Sequence, residues 1–491
     1  MDKITLTLLP ENRQLTAEPG QTVLEVLRAA GLHPDAPCGG KGACGKCRMA
    51  INGEARLACQ TAAEPGMTVV LPEAAREKIL QGGIAEPITP DGEHRYALAF
   101  DIGTTTVVAY LLSGKTGAML AEAGMLNPQA AFGADVISRI QYTLAHGPAP
   151  LREEIRGALA GLTETVTAQT GVAPMEITVA AIVGNTCMHH LFLGADVTPL
   201  TTPPYMPSVQ EAMTLSAKGI LPIAEEGIIR LLPNIAGFVG GDTVGCMSAV
   251  AFDTLEELTL LVDIGTNGEM VLGDRRRRIS CSTAAGPAFE GAKISCGMRG
   301  AAGAIDHVAA RDGALHCHIL GEGVAVGLCG SGLLDAVFAL LQTGRLSGSG
   351  RLTEQSVSIP LRDGVALTQK DIREVQLAKS AIRSGVELLC KQLGVRPEDV
   401  QRVCLAGAFG NYLSPESACG IGMLPPCLLP KIVPVGNAAG EGAKRCALSE
   451  AEFEHSKRLA AETEFLELAS MPEFQDCFID YLSFEEEEDG D

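Results

Sequence analysis

The sequence predicts a multi-domain α/β protein, and three observations carry that reading. The pattern Asp-Ile-Gly-Thr occurs twice, at Asp101 to Thr104 and at Asp263 to Thr266, each time between two apolar strand-like runs. From Tyr96 onward, strand-like and helix-like segments alternate, the order expected where helices cover a sheet. Ahead of them, residues 1 to 77 form a small α+β unit with four closely spaced cysteines. At 491 residues the chain exceeds one ordinary core, so several domains are expected. The divisions read as 1–77, a flexible linker 78–95, a first lobe 96–255, a second lobe with closing segments 256–483, and an acidic tail 484–491.

In the small unit, residues 3 to 9 alternate like a strand, Thr22 to Ala30 reads as an amphipathic helix, and Met67 to Leu71 reads as a closing strand. Cys38, Cys44, Cys47 and Cys59 form C-x5-C-x2-C-x11-C, within Pro37-Cys-Gly-Gly-Lys-Gly-Ala-Cys-Gly-Lys-Cys47. The glycines let such a loop wrap an inorganic core with its amides turned toward the sulfurs, and four thiolates match a 2Fe-2S cluster. A structural zinc site is the alternative for four thiolates. This region resembles the plant-type ferredoxin (β-grasp) fold, with x5 in place of x4 at the first spacing and an early fourth cysteine. The other twelve of the 16 cysteines lack paired spacing and read as buried small hydrophobes.

Residues 73 to 95 begin helix-like and dissolve into Gly and Pro punctuation, hence the linker. In both Asp-Ile-Gly-Thr stretches the carboxylate ends a strand, and Gly103 or Gly265 follows two residues later. Backbone amides can then approach an anion with no Cβ in the way. One copy could be a plain hairpin turn, whereas two copies in matching context read as a phosphate and metal clamp used twice. Leu151 to Thr170 and Asp371 to Leu393 suit helices, and Ile177 to Val183 and Val400 to Leu405 suit strands. Gly184-Asn-Thr-Cys-Met-His-His reads as a Gly-Asn turn into a helix whose adjacent His189 and His190 face different ways. Further Gly-rich turns are Val403 to Tyr412, with Gly407 and Gly410, Gly327 to Asp335, with Gly330, and Asn234 to Asp242, which adds a carboxylate. Phe484 to Asp491 reads as a solvated acidic end.

Composition bounds the function. Hydrophobic residues make up 46% of the chain, but no uncharged apolar run reaches the roughly 18 residues of a membrane span. The start lacks a signal peptide's apolar core, so a soluble, cytoplasmic protein is expected. A formal charge of -21 argues against nonspecific nucleic-acid binding. The basic run Arg275 to Arg278 reads as a solvated turn after a strand.

Two Asp-x-Gly-Thr hairpins in successive α/β lobes, with a later strand and Gly-rich loop, resemble the two-lobed actin-like ATPase (ribonuclease H-like) superfamily. Behind a 2Fe-2S domain, and with Asn127-Pro-Gln-Ala-Ala-Phe-Gly-Ala-Asp-Val-Ile-Ser-Arg139, Ala285-Gly-Pro-Ala-Phe-Glu-Gly291 and Cys296-Gly-Met-Arg299, the chain resembles the reductive activators of corrinoid proteins. That resemblance implies an ATP-hydrolysing activase that delivers one electron from the 2Fe-2S cluster, converting Co(II) to Co(I) on a corrinoid protein of a methyltransferase system. It implies ATP and Mg²⁺ as further cofactors, a low-potential upstream electron donor, and compatibility with a homodimer. Asp101 and Asp263 are then candidates for positioning Mg²⁺ or water. Thr104, Thr105, Thr266 and Asn267 would hold phosphates, and Gly103, Gly265, Gly330, Gly407 and Gly410 would lie against the nucleotide. Such activators carry a middle domain between ferredoxin and ATPase parts, for which the short linker leaves little room. The loop Ala406-Gly-Ala-Phe-Gly410 also departs from the superfamily's Gly-Gly pair. The alternatives are an iron-sulfur ATPase activating a 2-hydroxyacyl-CoA dehydratase, a small-molecule kinase with a regulatory ferredoxin domain, and a non-enzymatic ferredoxin-tethered scaffold.

Overall fold

The computed structural model describes residues 4–9, 13–17, 20–29, 47–70, 88–291, 293–353, 357–407 and 413–484. The N-terminal unit contains β1 (Ile4–Leu9), β2 (Arg13–Ala17), α1 (Val23–Ala29), β3 (Arg48–Ile51), β4 (Glu54–Leu57) and β5 (Thr68–Val70). Its sheet runs β2-β1-β5-β3-β4. Alternation puts Leu6, Leu8, Leu15 and Ala17 on one face, packed on Val23, Leu24 and Leu27 of the helix. That helix starts at a reciprocal pair: the Glu25 amide donates to Thr22 Oγ1 at 3.3 Å, and Glu25 Oε2 accepts from the Thr22 amide at 2.8 Å.

The first lobe comprises β6 (Tyr96–Ile102), β7 (Thr106–Ser113), β8 (Met119–Leu126), α2 (Val136–His146), α3 (Ala149–Thr170), β9 (Ile177–Gly184), α4 (Thr186–Leu193), β10 (Met213–Ser216), β11 (Ile228–Leu231) and α5 (Gly241–Ala249). The second lobe begins with β12 (Thr259–Ile264), β13 (Gly268–Gly273), β14 (Arg278–Thr283), β15 (Ala304–Arg311), β16 (Ala314–Ile319), β17 (Gly327–Leu328) and α6 (Gly330–Gln342). It continues through β18 (Ser358–Arg362), β19 (Val365–Thr368), α7 (Gln369–Leu393), β20 (Arg402–Ala406), α8 (Pro415–Gly420), β21 (Ile432–Gly436), α9 (Ala438–Leu448), α10 (Glu450–Ala461), β22 (Glu464–Phe465) and α11 (Pro472–Asp480).

The two large sheets share one plan. Their orders are β10-β11-β9-β6-β7-β8 and β21-β20-β12-β13-β14-β22. Each centres on an antiparallel hairpin, β6/β7 or β12/β13, whose first strand pairs in parallel with a later strand, β9 or β20. Residues on both faces of β6 are buried, so its near-continuous apolar run is explained: Leu98 and Phe100 pack on α3, while Ala97 and Ala99 face the opposite core. That second core also takes Val244 and Met247 of α5, Ala439 and Ala443 of α9, and Leu261, Val271 and Cys404 from the other sheet. Helices α5 and α9 therefore lie between the sheets. They cross on glycines: a Cβ on Gly442 would fall 2.2 Å from the Gly245 carbonyl oxygen.

The segments expected at 151–170, 177–183, 371–393 and 400–405 are present with ends shifted by one or two residues. Three expectations change. Residues 88–95 of the supposed flexible linker are tied down: the Asp91 amide donates to the Leu448 carbonyl at 3.1 Å, His94 meets Thr178, and Arg95 pairs with Glu176. The remainder of the linker lies outside the described residues. Arg278 is a strand residue, 2% exposed, with Glu462 on its guanidinium; of the basic run, Arg275 to Arg277 form the exposed turn. Phe484 is not part of a solvated end. Its ring is 7% exposed and its amide donates to the Gly348 carbonyl at 2.7 Å, while 485–491 lie outside the described residues. The closing helices α9 and α10 return from the second lobe to pack on α5 of the first.

Candidate functional site

The first hairpin turn, Ile102 to Thr106, is braced by donors. Asn127 Nδ2 donates to the Gly103 carbonyl at 2.8 Å, Asn185 Nδ2 to Thr104 Oγ1 at 2.9 Å, and Arg139 Nη2 to the Thr104 carbonyl at 2.6 Å. Local sequence sets up each donor. Asn185 caps α4 through its Oδ1, and Asp135 with Ser138 forms a capping box that starts α2 and aims Arg139 inward. Burial pulls the Arg139 guanidinium down to about 10, which leaves it cationic at neutral pH. The polypeptide from Asn127 to Arg139 is thus the brace of the first clamp.

The second turn is ringed by acids. Asp263 and Glu269 are directly opposed across the β12/β13 hairpin. Burial raises the Asp263 carboxyl above its ordinary value, and Cys246 of α5 partly offsets this by donating its Sγ–H to Asp263 Oδ2 at 3.3 Å. Asp242, in the first turn of α5, is pushed up to about 7 by burial, then by the charges of Asp263 and Asp101. Burial followed by Asp242 and Asp263 raises Glu269 as well, with the Asn267 side chain opposing the shift. Gly407 closes the ring at φ +99°; a Cβ there would lie 2.6 Å from the Ile264 carbonyl oxygen and 2.8 Å from Asp263 Oδ1. A side chain at this position would displace the aspartate.

Two contacts cross between the lobes, and the second of them touches both turns. Asn437, which caps α9 after β21, donates Nδ2 to Asp101 Oδ2 at 2.9 Å and to the Tyr110 hydroxyl at 3.1 Å. Glu290 accepts from both clamps: Thr105 Oγ1 donates to its Oε2, and Thr266 Oγ1 donates to its Oε1 at 2.9 Å. Asp101, Thr104, Thr105, Asp263, Gly265, Thr266, Asn267 and Gly407 are therefore tied, directly or through one neighbour, into one interlobe site.

The site's donors and charges fit a magnesium nucleotide. Threonine hydroxyls already point at an anion, Gly407 leaves room that a Cβ would fill, and burial with neighbouring negative charge raises Asp242 and Glu269, a field that suits a cation. Mg²⁺ is commonly held by one or two carboxylates, waters and phosphate oxygens, without an all-protein cage. No cluster of three or more His, Cys, Asp or Glu side chains placed to hold a metal occurs among the described residues.

Other expected positions are separate. Gly330 opens α6, whose neighbours Cys329 and Ser331 bond to Ile305 and Asp306 of β15; these bonds anchor it within the second lobe. Gly410, Cys38 and Cys44 lie outside the described residues. Cys47 and Cys59 are both buried and adjacent, with the Cys59 amide donating to Cys47 Sγ at 3.4 Å and Gln60 Nε2 to Cys59 Sγ at 3.7 Å. Amides turned toward sulfur are what a thiolate-held cluster requires, so these two residues fit the 2Fe-2S assignment. His189 and His190 are buried in α4; burial holds His189 down to about 3, and His190 Nδ1 meets the Thr186 carbonyl at 2.7 Å. Burial pushes Cys187 and Cys446 up to about 12, as expected of inert core thiols.

Sequence reasoning missed Glu269, Glu290, Asn437, Asn185 and Cys246. Glu269 was readable: in a hairpin centred on Thr266, its register faces Asp263. The strand–Gly–Asn–helix pattern also recurs, at Gly184-Asn185 and Gly436-Asn437, and is an N-cap signal in both places. Glu290 lies in the Ala285 to Gly291 stretch that carried the resemblance, but nothing local marks its contacts or those of Cys246, whose partners lie in other elements.

Comparisons with known proteins fall on the whole chain. A model described as the 2Fe-2S iron-sulfur cluster binding domain matches residues 6–64, one described as the RACo middle region matches 96–255, and one described as the C-terminal domain of RACo, the ASKHA domain, matches 257–490. A corrinoid activation enzyme, RamQ, from Eubacterium limosum is 34% identical over 414 residues, covering 78% of this chain and 69% of that protein. A [Co(II) methylated amine-specific corrinoid protein] reductase from Methanosarcina barkeri is 29% identical over 276 residues, 51% of each chain. The solved structure of a reductive activator for corrinoid, iron-sulfur protein superposes with a TM-score of 0.75 at 26% identity, covering 98% of both chains. The middle domain expected to be missing is therefore present: the middle-region model falls on the segment containing the first hairpin. No helix among the described residues is long and apolar enough to cross a membrane.

Proposed function

Because the chain belongs to the family of RACo-type reductive activators of corrinoid proteins, with an N-terminal 2Fe-2S domain and an actin-like ATPase domain, we propose that it uses ATP to return a methyltransferase system's corrinoid protein from Co(II) to Co(I). The observation that carries the reading is the convergence of two Asp-x-Gly-Thr hairpins from separate sheets on one interlobe site, in a chain that begins with cluster cysteines. The cluster supplies one electron, and Cys47 and Cys59, with Cys38 and Cys44, are the residues that would hold it. Reduction to Co(I) is uphill for an ordinary 2Fe-2S donor. A gap of about 300 mV would cost one electron roughly 7 kcal/mol.

ATP answers that cost if the lobes bind the corrinoid protein differently in different nucleotide states, the only way a ligand can bias such an equilibrium. Asp101, oriented by Asn437, and Asp263, held by Cys246, would position Mg²⁺ and water. Thr104, Thr105, Thr266 and Asn267 would bind phosphates, with Gly103, Gly265 and Gly407 admitting them to the backbone. An upstream low-potential reductant and a cytoplasmic setting belong to the same reading.

The test follows the Co(I) absorption of a candidate corrinoid protein anaerobically, with reductant, with and without ATP. Co(I) should accumulate only with ATP, and Asp263→Ala should fail to form it while still reducing cytochrome c, a downhill acceptor. Equal Co(I) without ATP would refute the coupling. A phosphorylated small molecule in place of free phosphate would favour a kinase.

A further inference from the structure

We propose that Glu290 is an anionic placeholder for the nucleotide's terminal phosphate: its carboxylate holds the clamp threonines of both lobes until that phosphate displaces it. The proposal rests on the ATP-site reading above and goes beyond it in assigning what fills the clamp between turnovers.

The geometry is that of an anion already seated. Thr105 and Thr266, 161 positions apart in the chain, donate to different oxygens of one carboxylate. Each hydroxyl has a single proton to donate, so a phosphate oxygen and Glu290 cannot both accept it. The carboxylate also overhangs the turn itself, because a Cβ built on Gly265 would lie 3.9 Å from Glu290 Oε1. That glycine is where backbone amides would meet a phosphate. The surroundings suit an anion at this point: the charge of Glu290 acts on the buried Arg139 guanidinium, whose field a phosphate seated on the same threonines would also meet.

The loop carrying Glu290 is held from behind. Gly291 adopts φ +73°, where a Cβ would lie 2.5 Å from the Met298 carbonyl oxygen, and a Cβ on Gly297 would fall 2.2 Å from the Gly291 carbonyl oxygen. The two arms of the loop thus meet backbone to backbone. Displacement of Glu290 is then a side-chain rotation out of the clamp, with the loop in place. If the carboxylate occupies the threonines about nine-tenths of the time, apparent affinity for a ligand that needs them falls about tenfold.

The experiment is calorimetric titration of the full chain, in Mg²⁺, with a non-hydrolysable ATP analogue and with ADP, for wild type, Glu290→Gln and Glu290→Ala. Thermal melts of each variant establish that it is folded. Glutamine keeps the shape but offers a single acceptor oxygen and no charge. Both variants should bind the triphosphate analogue about tenfold tighter, as removal of a self-occupied state requires, with ADP changed less than about threefold. Unchanged or weaker triphosphate binding in the folded Gln variant would overturn the placeholder while leaving the ATP site standing. Wild type that binds neither nucleotide would overturn both.

Discussion

The two hairpins carry the same four residues, Asp-Ile-Gly-Thr, in opposite electrostatic settings. The first is fixed by neutral amides and a buried guanidinium, from Asn127, Asn185, Arg139 and Asn437. The second sits among carboxylates, with the charge of Asp263 pressing on Asp242 and Glu269 and the Cys246 thiol donating to Asp263. A motif fixes backbone geometry, whereas the elements packed behind it decide what its carboxylate does. On this comparison Asp101 is an acceptor oriented by Asn437. Asp263 belongs to a buried acidic cluster with Asp242 and Glu269.

The comparison breaks most severely at Gly407, which supports the second turn alone. Gly407→Ala puts a Cβ into the Ile264 carbonyl and the Asp263 carboxylate at a backbone angle that L-residues rarely adopt. Strain of roughly 1–3 kcal/mol is expected. A displacement of Asp263 by about 1 Å would cost on the order of 10²-fold in ATP hydrolysis. Steady-state phosphate release checks it, and a near-wild-type rate would show that Asp263 is not held from this side.

The acidic cluster predicts a pH effect. In the nucleotide-free protein Asp242 keeps a proton up to about pH 7, whereas in the unfolded chain it loses it near 3.8. Between those values the folded state binds more protons, so raising the pH through that window removes stability, and the penalty is complete above about 7. On the order of 2–4 kcal/mol is at stake. Melting temperature should fall between pH 5 and pH 8 more in wild type than in Asp242→Asn, and Mg²⁺ with nucleotide should restore wild type at pH 8. Identical profiles in the two proteins would mean that Asp242 is already compensated.

The smallest effect belongs to the first turn. Asn437→Ala removes a helix cap and the donor to Asp101, for about 1–2 kcal/mol of stability. A fall of about fivefold in turnover with an unchanged KM is expected, since the lost hydrogen bond is positional. A large rise in KM would instead put Asn437 on the nucleotide.

Much of this arrangement was legible in the chain. Asp101 and Asp263 were found because the strand period and the Gly two residues on are local properties, and the duplicated sheet follows from their repetition. Cys47 and Cys59 were likewise marked by spacing. What stayed hidden depends on tertiary meeting points. Glu290 touches Thr105 across 185 residues, and Asn437 reaches Asp101 across 336. The α5/α9 crossing rests on Gly245 and Gly442, which read in isolation as helix-weakening glycines. The first lobe was taken for an ATPase half with the middle domain lost because a missing inserted domain and a relabelled lobe look alike in one sequence.

The central claim, that both hairpins serve one phosphate centre, is tested most directly by a double-mutant cycle on single-turnover ATP hydrolysis. Asp101→Ala and Asp263→Ala should each lower the rate by about 10²–10³-fold, and the double variant should lose no more than about threefold beyond the worse single one, because residues of one centre act as a unit. The visible absorption of the cluster should be unchanged in all three. Losses that multiply, or full hydrolysis in either single variant, would contradict a shared site.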